Sequence, residues 1–123
     1  MPAIGKTYSQ QIVVSEKDTA LAYGSGNLPV FATPAMIALM ENTAVHCLEG
    51  ELEPGSATEG IAIDVQHTKA TAVGHPVVCQ ATVTETEGRR IRFEITARDD
   101  KGNIGRAIHD RFIIIPEKFM SKL

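Results

Sequence analysis

Nothing in the chain directs it towards nucleic acid, a membrane or a metal. Twelve Lys and Arg against 15 Asp and Glu leave a net charge of -3 and a pI near 5.8. That balance argues against nucleic acid or an anionic membrane as the main partner, so an anionic ligand must be met by a local cluster. No stretch approaches the roughly 18 apolar residues that span a bilayer, and MPAIGKTYSQ lacks the apolar run of a signal peptide. A cytoplasmic location is expected. Cysteine is scarce: Cys47 and Cys79 form no CxxC pair and have no His set at metal spacing, so both are expected as reduced, packed thiols and no metal site is indicated. Repeats, low-complexity tracts and composition shifts are also missing. With 123 residues and 43% hydrophobic content, the chain is expected to fold as a single domain over 1–123 around a sizeable core.

The order of elements can be read from period and punctuation. KTYSQQIVV (6–14) has the β-branched and aromatic content of a first strand, and AYGSGNLP reads as a loop able to act as a lid. Thr33 before Pro34 predicts an N-cap and a helix from Pro34 to about Leu48. Ala35 to Met40 is apolar on every side, the pattern of a helix enclosed by protein. Strand-like runs follow over 58–72, 77–87, 90–99 and 104–115, joined by GHP, TEGR and DDKGN. Short hairpins make consecutive strands antiparallel. The result is β-α-β-β-β-β, an α+β fold in which a curved antiparallel sheet of five strands wraps one long central helix.

Three reactive side chains fall where folding rules would prefer others. Glu41 lies four residues after Ile37 and four before Val45, which directs its carboxylate along an apolar stripe where burial is costly unless it serves a partner or a ligand. The bland alternative is that Glu41 begins the solvated half of the helix. His67 shares its period-two face with Ile61, Ile63 and Val65, as a core histidine would, or as an acid–base group oriented by a carboxylate. Thr33 is explained by capping alone, or by a site. A rise of about 1.5 Å per residue puts Thr33 and Glu41 about 12 Å apart along the helix axis, so one site containing both must extend along a cleft or be assembled from two subunits. His46, His75 and His109 show no ligand spacing, and Arg89, Arg90, Arg106 and Arg111 read equally as anion donors or solvated strand residues.

The runs VFATPAMIALME, LEPG, GIAIDVQHTKAT, EGRR and IHDRFIIIPEKF resemble the hotdog-fold thioesterases related to fluoroacetyl-CoA thioesterase, over about residues 5–120. The order and separation of Thr33, Glu41 and His67 match that family's catalytic Thr, Glu and His. The resemblance implies the hotdog fold, a homodimer, and hydrolysis of a small acyl-CoA with no cofactor beyond the coenzyme A of the substrate. It also implies that Gly60 lies near the acyl group and Arg111 near the substrate channel. The family's fluoroacetyl-specific enzyme has phenylalanines in the loop before the helix, whereas AYGSGNLP is shorter and has none before Phe31. Pro34 has no N–H, so a helix-terminal oxyanion donor must come from Ala35 or Met36, or from backbone near Gly60.

In this reading Glu41 is general base or nucleophile, His67 moves the proton to the leaving thiolate, and Thr33 orients the carboxylate or the carbonyl. Phe31, Met36, Met40 and the loop over 22–29 together set the depth of the acyl pocket. Lys69, Arg89 and Arg90 are the basic residues available to the nucleotide. A hotdog module that binds acyl-CoA without turning it over is the alternative. The Asp and His motif of hotdog hydratases is not found.

Overall fold

The computed structural model describes residues 1–123. Strand β1 (Thr7–Val13) leads through a 3-10 turn (Glu16–Asp18) and a single-turn helix α1 (Ala20–Tyr23) into the long helix α2 (Thr33–Cys47). Strands β2 (Ala57–His67), β3 (Pro76–Glu87), β4 (Arg90–Asp99) and β5 (Gly102–Ile114) follow, and helix α3 (Pro116–Ser121) ends the chain. The strands form one antiparallel sheet in the order β1-β3-β4-β5-β2. The α+β layout expected from the sequence is the one observed. The short helices α1 and α3 add to it; neither is long enough to show a helical period.

Helix α2 buries Ala35, Met36, Leu39, Met40, Thr43, Ala44 and Cys47 against the sheet. Their spacing of three and four residues is one face of a helix. The enclosure expected on all sides is not found: Ala38 is exposed and Ile37 half-buried, so a second face of α2 lacks cover within the chain. Opposite the buried face, β4 contributes Ile91, Phe93, Ile95 and Ala97, the alternate residues of one strand face. The hairpins are tight because Gly88 and Gly102 supply backbone with φ of 58° and 133°. Cys47 and Cys79 are free and buried.

One expected boundary and one expected facing shift. The strand predicted over 58–72 ends at His67, because residues after it leave the sheet edge to meet the β4–β5 turn. There the buried Asp99 carboxylate accepts from Lys69 Nζ, Thr71 Oγ1 and the Lys101 N–H, each at 2.8 Å. Burial alone would raise the pKa of Asp99, but these donors together bring it down to about 2. A β-bulge lies between Gly60 and Ala62, which pair with Arg111 and Asp110. Ile61 is therefore the extra residue and is 55% exposed, rather than sharing the inward face of Ile63, Val65 and His67.

Candidate active site

Thr33 does not cap α2. Ala32 holds the N-cap position without a side-chain bond, and Thr33 is the first helical residue, followed by Pro34. Its hydroxyl is thereby freed to meet His67: Thr33 Oγ1 lies 2.8 Å from His67 Nδ1. A hydroxyl can donate or accept, so the pair can pass a proton in either direction. The other ring nitrogen, Nε2, is sealed from solvent and has no hydrogen-bond partner. Phe31 meets the imidazole edge-on, with centroids 6.3 Å apart. Burial pushes the His67 pKa below its ordinary value, opposed by the Lys69 backbone. The imidazole is neutral in this setting, poised to accept a proton or to exchange one with Thr33.

A cavity of about 290 Å³ opens beside this pair, lined among others by Phe31, Thr33, His67, Lys69 and Ser25. The loop before α2 closes over it through its own backbone: the Ala20 N–H donates to Val30 O at 2.8 Å and the Ser25 N–H to Ala20 O at 3.0 Å. At the helix start the Met36 N–H already donates to Ala32 O at 2.9 Å. Of the two oxyanion donors expected there, Ala35 is the one left without a backbone acceptor. Met36 and Met40 are fully buried in the core, below the cavity rather than open to it. Met36 supports the His67 end of β2, since a Cβ on Gly105, the residue paired with His67, would lie 2.8 Å from its Sδ.

Glu41 stands elsewhere. Its side chain keeps 44% of its exposure, and Oε2 lies 3.6 Å from Arg111 Nη1. It is not buried among apolar neighbours; it spans from the uncovered face of α2 to the other end of β2. Gly60 is the reason it fits, because a Cβ there would lie 2.6 Å from Glu41 Oε2 and 3.3 Å from Arg111 Nη1. Arg111 is only 6% exposed. Its Nε donates to Thr58 Oγ1 at 2.9 Å, its Nη2 to Thr58 O at 3.0 Å and its Nη1 to His109 Nε2 at 3.1 Å. Burial lowers the pKa of this guanidinium, while Glu41 and Glu59 favour its charge.

The structure thus brings Thr33 to His67, and Glu41 to Gly60 and Arg111, as two clusters at the two ends of β2. His109, which shows no ligand spacing in the sequence, joins the second cluster. Its signal was the alternation of β5, which puts His109 and Arg111 two residues apart on one face. Nowhere do three His, Cys, Asp or Glu side chains converge as a metal site. Of the basic residues considered for a nucleotide, Lys69 is held by Asp99 and Arg90 by Glu85 at 2.6 Å. Arg89 lies over the Phe112 ring at 5.9 Å.

Comparison with known proteins identifies the family and the fold. The profile of the family described as fluoroacetyl-CoA-specific thioesterase matches residues 14–117. The fluoroacetyl-CoA thioesterase of Streptantibioticus cattleyicolor is 42% identical over 94 residues, 76% of this chain and 68% of that protein. A solved structure of the fluoroacetyl-CoA thioesterase FlK superposes with a TM-score of 0.93 at 34% identity, covering 99% of this chain and 95% of the other. A mutant of the same enzyme in complex with fluoroacetate and CoA superposes with a TM-score of 0.90 at 34% identity, over 96% of this chain and 99% of the other. A hot-dog-like protein from Thermanaerovibrio acidaminovorans shares the fold, with a TM-score of 0.90 at 23% identity over 97% and 88% of the two chains. By profile, identity and fold, this chain belongs to the fluoroacetyl-CoA-specific thioesterase family of hotdog enzymes.

Proposed function

We propose that the protein hydrolyses short acyl-CoA thioesters in a site made of Thr33, His67 and Glu41, and that it does so as a homodimer. The observation that carries this reading is the placement of two incomplete clusters at opposite ends of one unpaired strand edge. β2 ends the sheet, so its outer edge offers free N–H and C=O groups. A two-fold, antiparallel pairing of two such edges runs the Gly60 end of one strand beside the His67 end of the other. Glu41 of one subunit then approaches the Thr33–His67 pair of its partner. The exposed Ile61 and the uncovered face of α2 are buried by the same contact.

The chemistry follows from the side chains. The thioester carbonyl takes the cavity beside Thr33 and His67, with the Ala35 N–H as a donor for the developing oxyanion. Glu41 acts as general base on water, whose oxygen forms the C–O bond as the C–S bond breaks, or as nucleophile on the carbonyl carbon, giving an anhydride that water then opens to the free acid and the restored carboxylate. His67 relays a proton released by the attacking water to the departing thiolate, and Thr33 holds the ring through its contact with Nδ1. No metal or redox cofactor enters these steps. Phe31 borders the acyl end, with Met36 and Met40 limiting its depth from the core side, and a cavity of about 290 Å³ suits a short acyl group. Gly60 and Arg111 keep the Glu41 carboxylate beside the channel. Of the basic residues considered for the coenzyme A nucleotide, Arg89 is exposed and Lys69 is half-exposed beside Asp99.

The test is thiol release from acyl-CoAs graded from acetyl to decanoyl, with wild type beside Glu41→Ala and His67→Ala. Turnover of short chains, lost in both variants with folding intact, is the expected result. Saturable binding without turnover across the whole series would replace the enzyme with an acyl-CoA binding module.

A further inference from the structure

We infer that His109, a residue outside the proposed Thr33, His67 and Glu41 set, is a positioning residue. It aims Arg111 at Glu41 as a neutral imidazole that donates from Nδ1 and accepts at Nε2. This inference rests on the proposed role of Glu41, but its geometry stands without it.

Both neighbours of the ring leave no choice of tautomer. His109 Nδ1 lies 2.8 Å from Ala62 O, and a carbonyl can only accept, so Nδ1 carries the proton. Nε2 lies 3.1 Å from Arg111 Nη1, and a guanidinium can only donate, so Nε2 presents its lone pair. The ring is 1% exposed and stacks on Phe93 with centroids 6.3 Å apart and planes inclined by 29°. It cannot turn away. Its Cε1 would stand 3.2 Å from a Cβ on Gly60, so the ring also walls the space in which the Glu41 carboxylate sits.

The consequence for Arg111 is geometric. With Nε and Nη2 bound to Thr58, the bond to His109 settles the plane of the guanidinium at Nη1. The remaining Nη1 hydrogen is left for Glu41 Oε2, at 3.6 Å. Three fixed contacts thus aim the fourth, which is how a buried arginine holds a flexible carboxylate without being consumed in the reaction.

A second proton on His109 would undo this arrangement, because Nε2–H would then face an Nη1–H and two cations would share one buried site. The charged groups around the ring are Arg111 and Asp110 on β5, Glu41 on α2 and, beyond Arg111, Glu59 on β2; β4 offers the uncharged Phe93. Burial first, and then the Arg111 charge, keep the imidazole harder to protonate than usual, against the opposing pull of the Ala62 carbonyl, Glu41 and Asp110. His109 therefore acts as a fixed acceptor near neutral pH and fails as one in acid.

The experiment combines two readouts. Nitrogen-15 NMR of the imidazoles in the intact protein at pH 7 is expected to show His109 neutral with its proton on Nδ1, and its Nε2 signal is expected to shift in Arg111→Ala. Steady-state kinetics on the preferred acyl-CoA then compare His109→Gln, Arg111→Ala and the double variant. The expected result is a fall in kcat of about tenfold or more for His109→Gln with KM little changed, loss of its acid limb in the pH profile, and no further fall when it is added to Arg111→Ala. A proton on Nε2, a charged ring at pH 7, an Nε2 signal indifferent to Arg111, or losses that multiply in the double variant would each overturn the inference. Should wild type hydrolyse no acyl-CoA, the proposed activity fails and the NMR arm alone decides the role of His109. The same arm decides if His109→Gln does not fold.

Discussion

At the His67 end of β2 one hydrogen bond of 2.8 Å joins the imidazole to Thr33, beside an open cavity and beneath a loop. At the Gly60 end, Arg111 and His109 are buried and bound to Thr58, to Ala62 O and to each other. The first end can exchange a proton and accommodate a ligand. The second is preorganised, and it supports the half-exposed Glu41 side chain. On the proposed mechanism the difference divides the labour: proton transfer falls to the Thr33–His67 pair, and placement of the carboxylate to the rigid cluster. Rigid support is what keeps a reacting group within the narrow tolerance that catalysis demands.

The largest effect should come from removing either of the two groups proposed to react. His67→Ala and Glu41→Gln are each expected to lower kcat by about 10²- to 10⁴-fold, the range for acid–base catalysis, with unchanged circular dichroism. Next stands Gly60→Ala, which attacks the rigid end without touching a functional group. A Cβ 2.6 Å from Glu41 Oε2 must push the carboxylate aside, and a displacement of this kind is expected to lower kcat by about 10²-fold while Tm changes little. An unchanged kcat in this variant would mean that the position of Glu41 is not critical. Thr33→Val keeps the shape but removes the hydroxyl from His67, and is expected to cost about tenfold in kcat, recovered in Thr33→Ser.

The sheet and the long helix were legible because each rests on a local period or punctuation mark. Pro34 and the apolar run after it announced α2, and DDKGN announced the last hairpin. The cap was misread because Thr before Pro satisfies the capping rule, while the competing partner, His67, lies 34 residues away in sequence. The inward aim expected for Ile61 failed because a bulge shifts the strand by one residue, and no period-two pattern reveals a bulge. Glu41 was placed correctly on the helix but with the wrong surroundings, since its partner Arg111 comes from a distant strand.

Acid stability should separate further parts of the molecule. His67 and His109 both have pKa values below the ordinary 6.5, so below about pH 6.5 the unfolded chain takes up protons that the fold resists. Their contribution is complete above that pH and is lost as pH falls below it. The Asp99 carboxylate, held at about 2 against 3.8, contributes about 2 kcal/mol above pH 3.8, lost as pH falls towards 2. Tm followed against pH should therefore decline in two stages, with Asp99→Asn removing the more acidic one. The smallest effect concerns the acyl group: with Gly24 and Asn27 but no phenylalanine in the loop before Phe31, kcat/KM for fluoroacetyl-CoA and acetyl-CoA should differ by less than about tenfold.

In the proposed homodimer the two ends of β2 meet across a pair of subunits. Coexpression of Glu41→Ala and His67→Ala chains carrying different tags, followed by isolation of the mixed dimer, tests it most directly. If Glu41 serves the Thr33–His67 pair of the partner, one site carries both defects and the other none, and about half of wild-type activity returns. A mixed dimer no more active than either parent would show that each site is built within one chain, contradicting the account.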